Sequence, residues 1–504
     1  MLAFYHTTGL FDDENEKGGF SMGVLDQLSP RGVFTAFEEI SAIPRGSGNE
    51  KNISRFIAET GKNLGLDVYE DKAYNVIIKK PATPGKEGLA PVILQGHMDM
   101  VCEKEPGKDF DFKKDPIQLI VDGDYLRADG TTLGADDGIA VAMMLALLKE
   151  GGIEHPPLEL VFTADEEAGM GGAMALKTAH LTGRRLINLD SEEEGHLLSC
   201  CAGGMKTVTR LPILWREARL GYVWLSFEIG GLMGGHSGSD IHLQRANAHQ
   251  LMGRLLTRLL AETDFWVAQI HGGNMDNAIA RSCRLVGCVA LDQAEKAQQL
   301  GEAWLAEMRQ EYGQTEPDMT LTIQETVEGE QVFDQDTAKK AAALLLLTPY
   351  GVQTMSLSMP GLVESSNNIG IIRTGEDALA VTCAARSGME SRKRLLSDRL
   401  RALAHVLGAS YSEHGDYPAW EFSAQSPLRQ TMVDCYEKLF GQAPQVDAIH
   451  AGLECGLFAK KIPGIDMVSI GPDMLDVHTT KERLSIASVE RTWRYLLEIL
   501  KTLD

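Results

Sequence analysis

The stretch Val92-Ile93-Leu94-Gln95-Gly96-His97-Met98-Asp99-Met100 constrains this chain more than any other. The apolar run behind Pro91 reads as a buried strand, and it ends in two residues able to bind or orient a metal ion. Side chains two apart on an extended chain point to the same side, so His97 and Asp99 share a face. A zinc-ligating histidine usually needs a carboxylate or carbonyl on its other ring nitrogen, and a direct neighbour would face away. His-x-Asp alone is more often a strand end with a satisfied histidine and a solvated aspartate. The residues downstream decide its meaning.

The same ending recurs along the chain. A strand at 158–162 runs into Thr163-Ala164-Asp165-Glu166-Glu167-Ala168-Gly169, and one at 186–189 ends in Asp190 before Ser191-Glu192-Glu193-Glu194-Gly195. Between them and the first strand, Gly130-Thr131-Thr132-Leu133-Gly134-Ala135-Asp136-Asp137-Gly138 leads into 139–149, which is apolar nearly all round and predicts a buried helix. Asp136 and Asp137 stand at the mouth of that helix, where free N–H groups favour a carboxylate, and one of the two reads as a plain cap. A last strand at 467–470 precedes Gly471-Pro472-Asp473-Met474-Leu475-Asp476-Val477-His478, and a helix at 488–500 closes the chain. Strands alternating with helices predict an α/β fold with a mostly parallel sheet, whose carboxyl edge is the usual place for ligands.

At 504 residues the chain exceeds one ordinary core. From about Thr207 the texture changes. Strand 222–229 leads to Gly230-Gly231-Leu232-Met233-Gly234-Gly235-His236-Ser237-Gly238, and further helices and strands succeed it without any metal-ligand spacing. Residues 206–417 therefore read as an inserted α+β domain facing the substrate, flanked by 23–205 and 418–504 as one catalytic domain, with Tyr417-Pro418-Ala419-Trp420 marking the return. Residues 1–22, polar and acidic, read as a loose extension, with Met22 an alternative start.

A formal net charge of −23 argues against nucleic acid or an anionic membrane as partner. No apolar run approaches the roughly 20 residues a membrane helix needs. Eight scattered cysteines without a Cys-x-x-Cys pair suggest neither a disulfide framework nor a thiolate zinc site, and a reducing cytosol is the simplest home.

Five positions at strand ends or helix mouths stand out: His97, Asp136, Glu167, Asp190 and His478. Two histidines and three carboxylates suit two divalent ions with one carboxylate shared, and metal pairs about 3.5–4 Å apart recur in aminopeptidases. On an extended segment Glu166 and Glu167 point in opposed directions, so one can hold metal while the other stays available as a base.

At these residues the chain resembles the zinc-dependent peptidases and aminoacylases with a co-catalytic metal pair, above all the aminoacyl-histidine dipeptidases. The resemblance runs from Leu25 onward and includes Lys80-Pro81-Ala82-Thr83, 450–458 and 467–472. It implies Asp136 as the bridging carboxylate, one zinc on His97 and Asp190, and the other on Glu167 and His478. It further implies Asp99 as the orienter of His97, Glu166 as general base, and a cis peptide after Asp136. The glycine-rich loop at His236 is similar to a lid segment whose histidine reaches the other subunit's site in a homodimer. Manganese or cobalt are substitutes for zinc on this reading.

A dipeptidase must also hold a free carboxylate. Arg386, in Cys383-Ala384-Ala385-Arg386-Ser387, is the candidate, since its planar fork suits that group. Asn368 and Asn277 are further candidates, each equally readable as a turn residue. Two positions depart from the family pattern: His478-Thr479-Thr480-Lys481-Glu482 lacks the usual proline, and so does Asn277-Ala278-Ile279-Ala280-Arg281. The expected activity is cytosolic hydrolysis of Xaa-His and other short unblocked dipeptides. An N-acyl amino acid deacylase on the same metal pair is the rival, and a non-enzymatic metal-binding scaffold the third reading.

Overall fold

The computed structural model describes residues 23–327 and 329–504, so the extension expected at 1–22 lies outside the described residues. Val92–His97 is a strand buried along its whole length. It lies parallel to Leu158–Thr163 on one side and to Arg185–Asn188 on the other, with Val92 opposite Leu158 and Arg185, and His97 opposite Thr163. Asp466–Ser469 adds a further parallel strand beyond Arg185–Asn188. Antiparallel Val76–Lys80 and Asp67–Glu70 close one edge of this eight-stranded sheet, and His196–Cys201 with Gln445–Ile449 close the other. Because the central strands are parallel, their carboxyl ends, and the side chains just beyond them, meet at one edge.

Strands buried on both faces need cover on both. Helix Ala135–Lys149 supplies it on one, packed between the strand Val92–His97 and helix Arg31–Ser41. Its side chains from Ile139 to Leu148 are all buried, the outcome that run's apolar sequence predicts. Phe34, Phe37, Leu94, Ile139, Met144 and Leu160 belong to the resulting core.

Between Gly203 and Tyr417 the chain builds a second, antiparallel sheet of nine strands with its own core, including Phe227, Leu251, Leu255, Phe265 and Leu345. The first of these strands, Gly203–Pro212, begins at Gly203 rather than at 206. Its opening glycines let two backbones approach closely, since a Cβ on Gly203 would lie 2.5 Å from the Ala419 nitrogen. The outgoing and returning segments are stitched together there: the Cys201 N–H donates to the Trp420 carbonyl at 3.0 Å and the Trp420 N–H to the Cys201 carbonyl at 3.1 Å. Among the described residues no helix is long and apolar enough to cross a membrane.

Candidate metal centre

The edge where the parallel strands end collects the five expected ligands. His97 leaves its strand with Nε2 3.1 Å from Asp136 Oδ1 and 3.5 Å from Asp190 Oδ1. His478 places its Nε2 2.9 Å from Asp136 Oδ2 and 3.0 Å from Glu167 Oε2. The two oxygens of Asp136 therefore face two different histidines. The Asp136–Asp137 peptide is cis.

Asp99 shares the face of His97, with Oδ1 3.5 Å from its Nδ1. It also accepts the Ser47 hydroxyl at 2.8 Å and the N–H groups of Glu166 and Glu167 at 3.0 and 3.2 Å. One buried carboxylate thus lies beside His97 and anchors the segment bearing the expected base. That segment is a turn and not the extended chain expected: the N–H groups of Gly169 and Met170 bond back to the Glu166 carbonyl. Asp137 is likewise no helix cap. It is fully buried, and its Oδ2 accepts the His97 N–H at 3.1 Å.

Burial and crowding give these groups unusual proton affinities. Burial opposes charge on Asp136, yet the hydrogen bonds from His478 and His97 hold its carboxyl well below the usual carboxylate range. Asp190 rises to about 6, chiefly through burial, and burial carries Glu166 well above the ordinary value. His478 is raised to about 11 by its hydrogen bonds to Asp136 and Glu167. For His97, burial disfavours the charged ring, but Asp190 and Asp136 outweigh it and the net shift is strongly upward. Carboxylates crowded this closely around two imidazoles call for positive charge, which protons or a divalent cation can supply.

The donor set fits such an ion. His97, Asp136 and Glu167 each offer an atom within 4.8 Å of the others, as do His97, Asp137 and Asp190. Glu167 Oε1 is buried without a hydrogen-bond partner.

The second sheet brings some of its candidates toward this edge and spends others. His236 loses basicity through burial first and then through the charges of Arg386 and His478, with Asp240 opposing. A Cβ on the neighbouring Gly238 would lie 2.7 Å from the His450 carbonyl. The His236 loop thus packs against the segment that carries His450. Arg386 donates from Nη1 to the Tyr417 hydroxyl at 2.9 Å, and its buried Nε has no protein partner. Asn277 leaves its side chain half-buried, while its carbonyl accepts the Ser237 N–H at 2.8 Å.

Asn368 is a correction. It is 1 % exposed, and its amide donates to the carbonyls of Asp276 at 2.9 Å and Ala278 at 2.8 Å. It holds the Asn277 loop and has no donor left for substrate.

Residues 93–502 match the model of peptidase family M20/M25/M40. The chain belongs to this family. It is 37% identical over 480 residues, 95% of this chain and 99% of the relative, to the cytosol non-specific dipeptidase of Escherichia coli (strain K12). Its structure resembles that of the aminoacylhistidine dipeptidase from Vibrio alginolyticus with a TM-score of 0.87 and 37% identity, covering 96% of this chain and 99% of that one. Aminopeptidase PepT from Bacillus cereus, at 17% identity and a TM-score of 0.55 over 94% of this chain and 99% of that one, shares the fold.

In this M20 metallopeptidase several residues that support the site give little signal in sequence. Ser47 lies in a loop whose glycines and proline read only as a helix break. Beneath the five candidate ligands, Gln95, Thr163 and Asn188 come from three adjacent strands, and Glu454 accepts from the first two at 2.6 Å each. Asn188 donates to Gln95 at 2.7 Å. Burial pushes the Glu454 carboxyl up to about 8. A lone polar residue within an apolar strand names no partner, so this layer is not legible in sequence.

Proposed function

We propose that this M20 metallopeptidase is a dipeptidase holding two divalent cations, zinc by preference, with Asp136 shared between them. His97 and Asp190 would hold one, and Glu167 and His478 the other. The observation that carries this reading is the placement of the two Asp136 oxygens against two separate histidines. Bound there, the ions supply Lewis acidity to the peptide carbonyl and lower the pKa of water.

The chain's own residues do the rest. Glu166 takes a proton from the attacking water and returns it to the leaving amine as the C–N bond breaks. Asp99 keeps His97 in its ligating orientation. The Nδ1 of His236 accepts the N–H groups of Gly238 and Ser239 at 3.3 and 3.2 Å, which puts the proton of the neutral ring on Nε2, a donor suited to the oxyanion. Arg386 binds the terminal carboxylate of the substrate. The substrates are Xaa-His and other short unblocked dipeptides, and the protein acts in the cytoplasm as a homodimer.

The test is metal analysis combined with a substrate panel. The protein as purified should contain two divalent ions per chain, and should hydrolyse carnosine and Leu-His in preference to N-acetyl amino acids. Chelation should abolish activity and zinc should restore it. Faster release from N-acetyl amino acids would replace the dipeptidase with a deacylase.

A further inference from the structure

Arg45 and Glu482 take no part in the proposed chemistry, yet both grip the ligand loops. Arg45 is 2 % exposed. Its Nη1 donates to the carbonyls of Met98 at 3.0 Å and Asp99 at 3.2 Å, and its Nη2 donates to the carbonyl of Gly134. One guanidinium therefore ties the loop after the strand Val92–His97 to the loop before Asp136. Gly134 sits between with φ of 70°, where a Cβ would meet Arg45 Nη2 at 2.7 Å.

Glu482, also 2 % exposed, holds the same loop through its amides. Its Oε2 accepts the N–H groups of Leu133 at 2.7 Å and Gly134 at 2.9 Å, and its Oε1 those of Ala135 at 2.7 Å and Asp136 at 3.4 Å. Four successive amides converging on one carboxylate fix the backbone path into Asp136. Glu482 also comes after His478 on the same loop, so it couples the segment carrying that histidine to the carboxylate it faces at 2.9 Å. Charges this deeply buried persist where each is matched, and Arg45 sits among Glu482, Asp99, Asp137 and Asp136.

We propose that Arg45 and Glu482 form a clamp of positioning residues that sets Asp136 relative to His97 and His478, and with it the affinity for divalent cations. Neither is among the residues proposed to hold an ion or the substrate. The inference rests on reading this edge as a metal centre. It gives the Pro44-Arg45-Gly46-Ser47 turn and the terminal Glu482 of the His478 motif a shared task. A purely structural role would stabilise the fold without governing the ions, and a matched control separates the two.

Glu159 is that control. It is 2 % exposed and accepts the N–H groups of Thr182 and Gly183 at 3.0 Å, at the end of the sheet away from the ligands. Glu482→Gln, Arg45→Lys and Glu159→Gln are compared by Co2+ competition against a chelator, by the visible spectrum of the Co2+-loaded protein, and by thermal melting of the metal-free protein. Glu482→Gln should weaken Co2+ binding about 10- to 100-fold and change the spectrum. Arg45→Lys should weaken it less, because an ammonium keeps the charge but not the fork.

Glu159→Gln should lower melting alone, with affinity and spectrum unmoved. Glu482→Gln and Arg45→Lys behaving like Glu159→Gln would overturn the clamp and leave the metal centre standing. If Glu482→Gln does not fold, Arg45→Lys decides on the same readouts. Failure of the unaltered protein to take up Co2+ or Zn2+ would overturn both readings together.

Discussion

The ligand edge of the first sheet and the region where the second sheet meets it use histidine in opposite ways. At the edge, His97 and His478 lie against carboxylates and are held above the ordinary imidazole value. On the helix Ala248–Glu262, packed against the second sheet, His249 is fully buried like His97, but its Nδ1 bonds the Ile369 carbonyl at 2.9 Å and burial pushes it down to about 4. His450, bonded to the Ser366 hydroxyl at 2.7 Å, falls to about 3 through burial and then the charge of Arg386. His97, His249 and His450 are all buried, so among them the neighbour decides the sign. One region is a set of anions short of cations. The other holds neutral imidazoles bonded within the protein, with the cationic Arg386 beside His450.

That contrast can be broken at graded cost. Glu166→Ala should cut kcat about 10²- to 10⁴-fold while metal content stays at the parent level; full hydrolysis by this variant would move the base elsewhere. Arg386→Met should raise KM for free dipeptides about 10- to 100-fold, the worth of a charged hydrogen bond. Dipeptide amides, which lack the carboxylate, should be nearly unaffected. An equal loss on both would make Arg386 a support for Tyr417 and take the anion site out of the second sheet.

Asn368→Ala should lower unfolding free energy by about 1–3 kcal/mol, because two buried carbonyls lose their donor. A raised KM at unchanged stability would instead return Asn368 to the substrate. The smallest effect is one of pH. The depressed pKa of His249 means that its contribution is complete above its unfolded value near 6.5 and is lost as pH falls toward about 4. Stability should drop by about 1 kcal/mol between roughly pH 7.5 and 5.5, with a shallower slope in His249→Gln, measured by denaturant titration. Identical slopes would assign the pH dependence to other groups.

Legibility in the sequence divides along the same line. His97, Asp136, Glu167, Asp190 and His478 can be read because strand and helix boundaries are written in hydrophobic periodicity, and each of the five stands at or near such a boundary. Asp137 is harder: a carboxylate at a helix mouth reads as a cap, and its real partner, the His97 N–H, lies on another element. Asn368 sits in a polar run, Ser365-Ser366-Asn367-Asn368, that looks exposed, yet all four residues are buried. Helix Glu390–Leu407 gives no clear signal because its sequence is crowded with charges and its buried stripe is thin. The second sheet starts ahead of the expected 206 because Gly203 and Gly204 carry no strand signal, their role being to let Tyr417 and Pro418 come close.

The paired backbone bonds between Cys201 and Trp420 have a consequence for how such a molecule could be rebuilt. The long excursion that makes the second sheet departs and comes home through one doorway, so its two ends already meet. A module joined in this way can be cut out, lengthened or traded for another without rethreading its host, because a short bridge of a few residues closes the gap at little entropic cost.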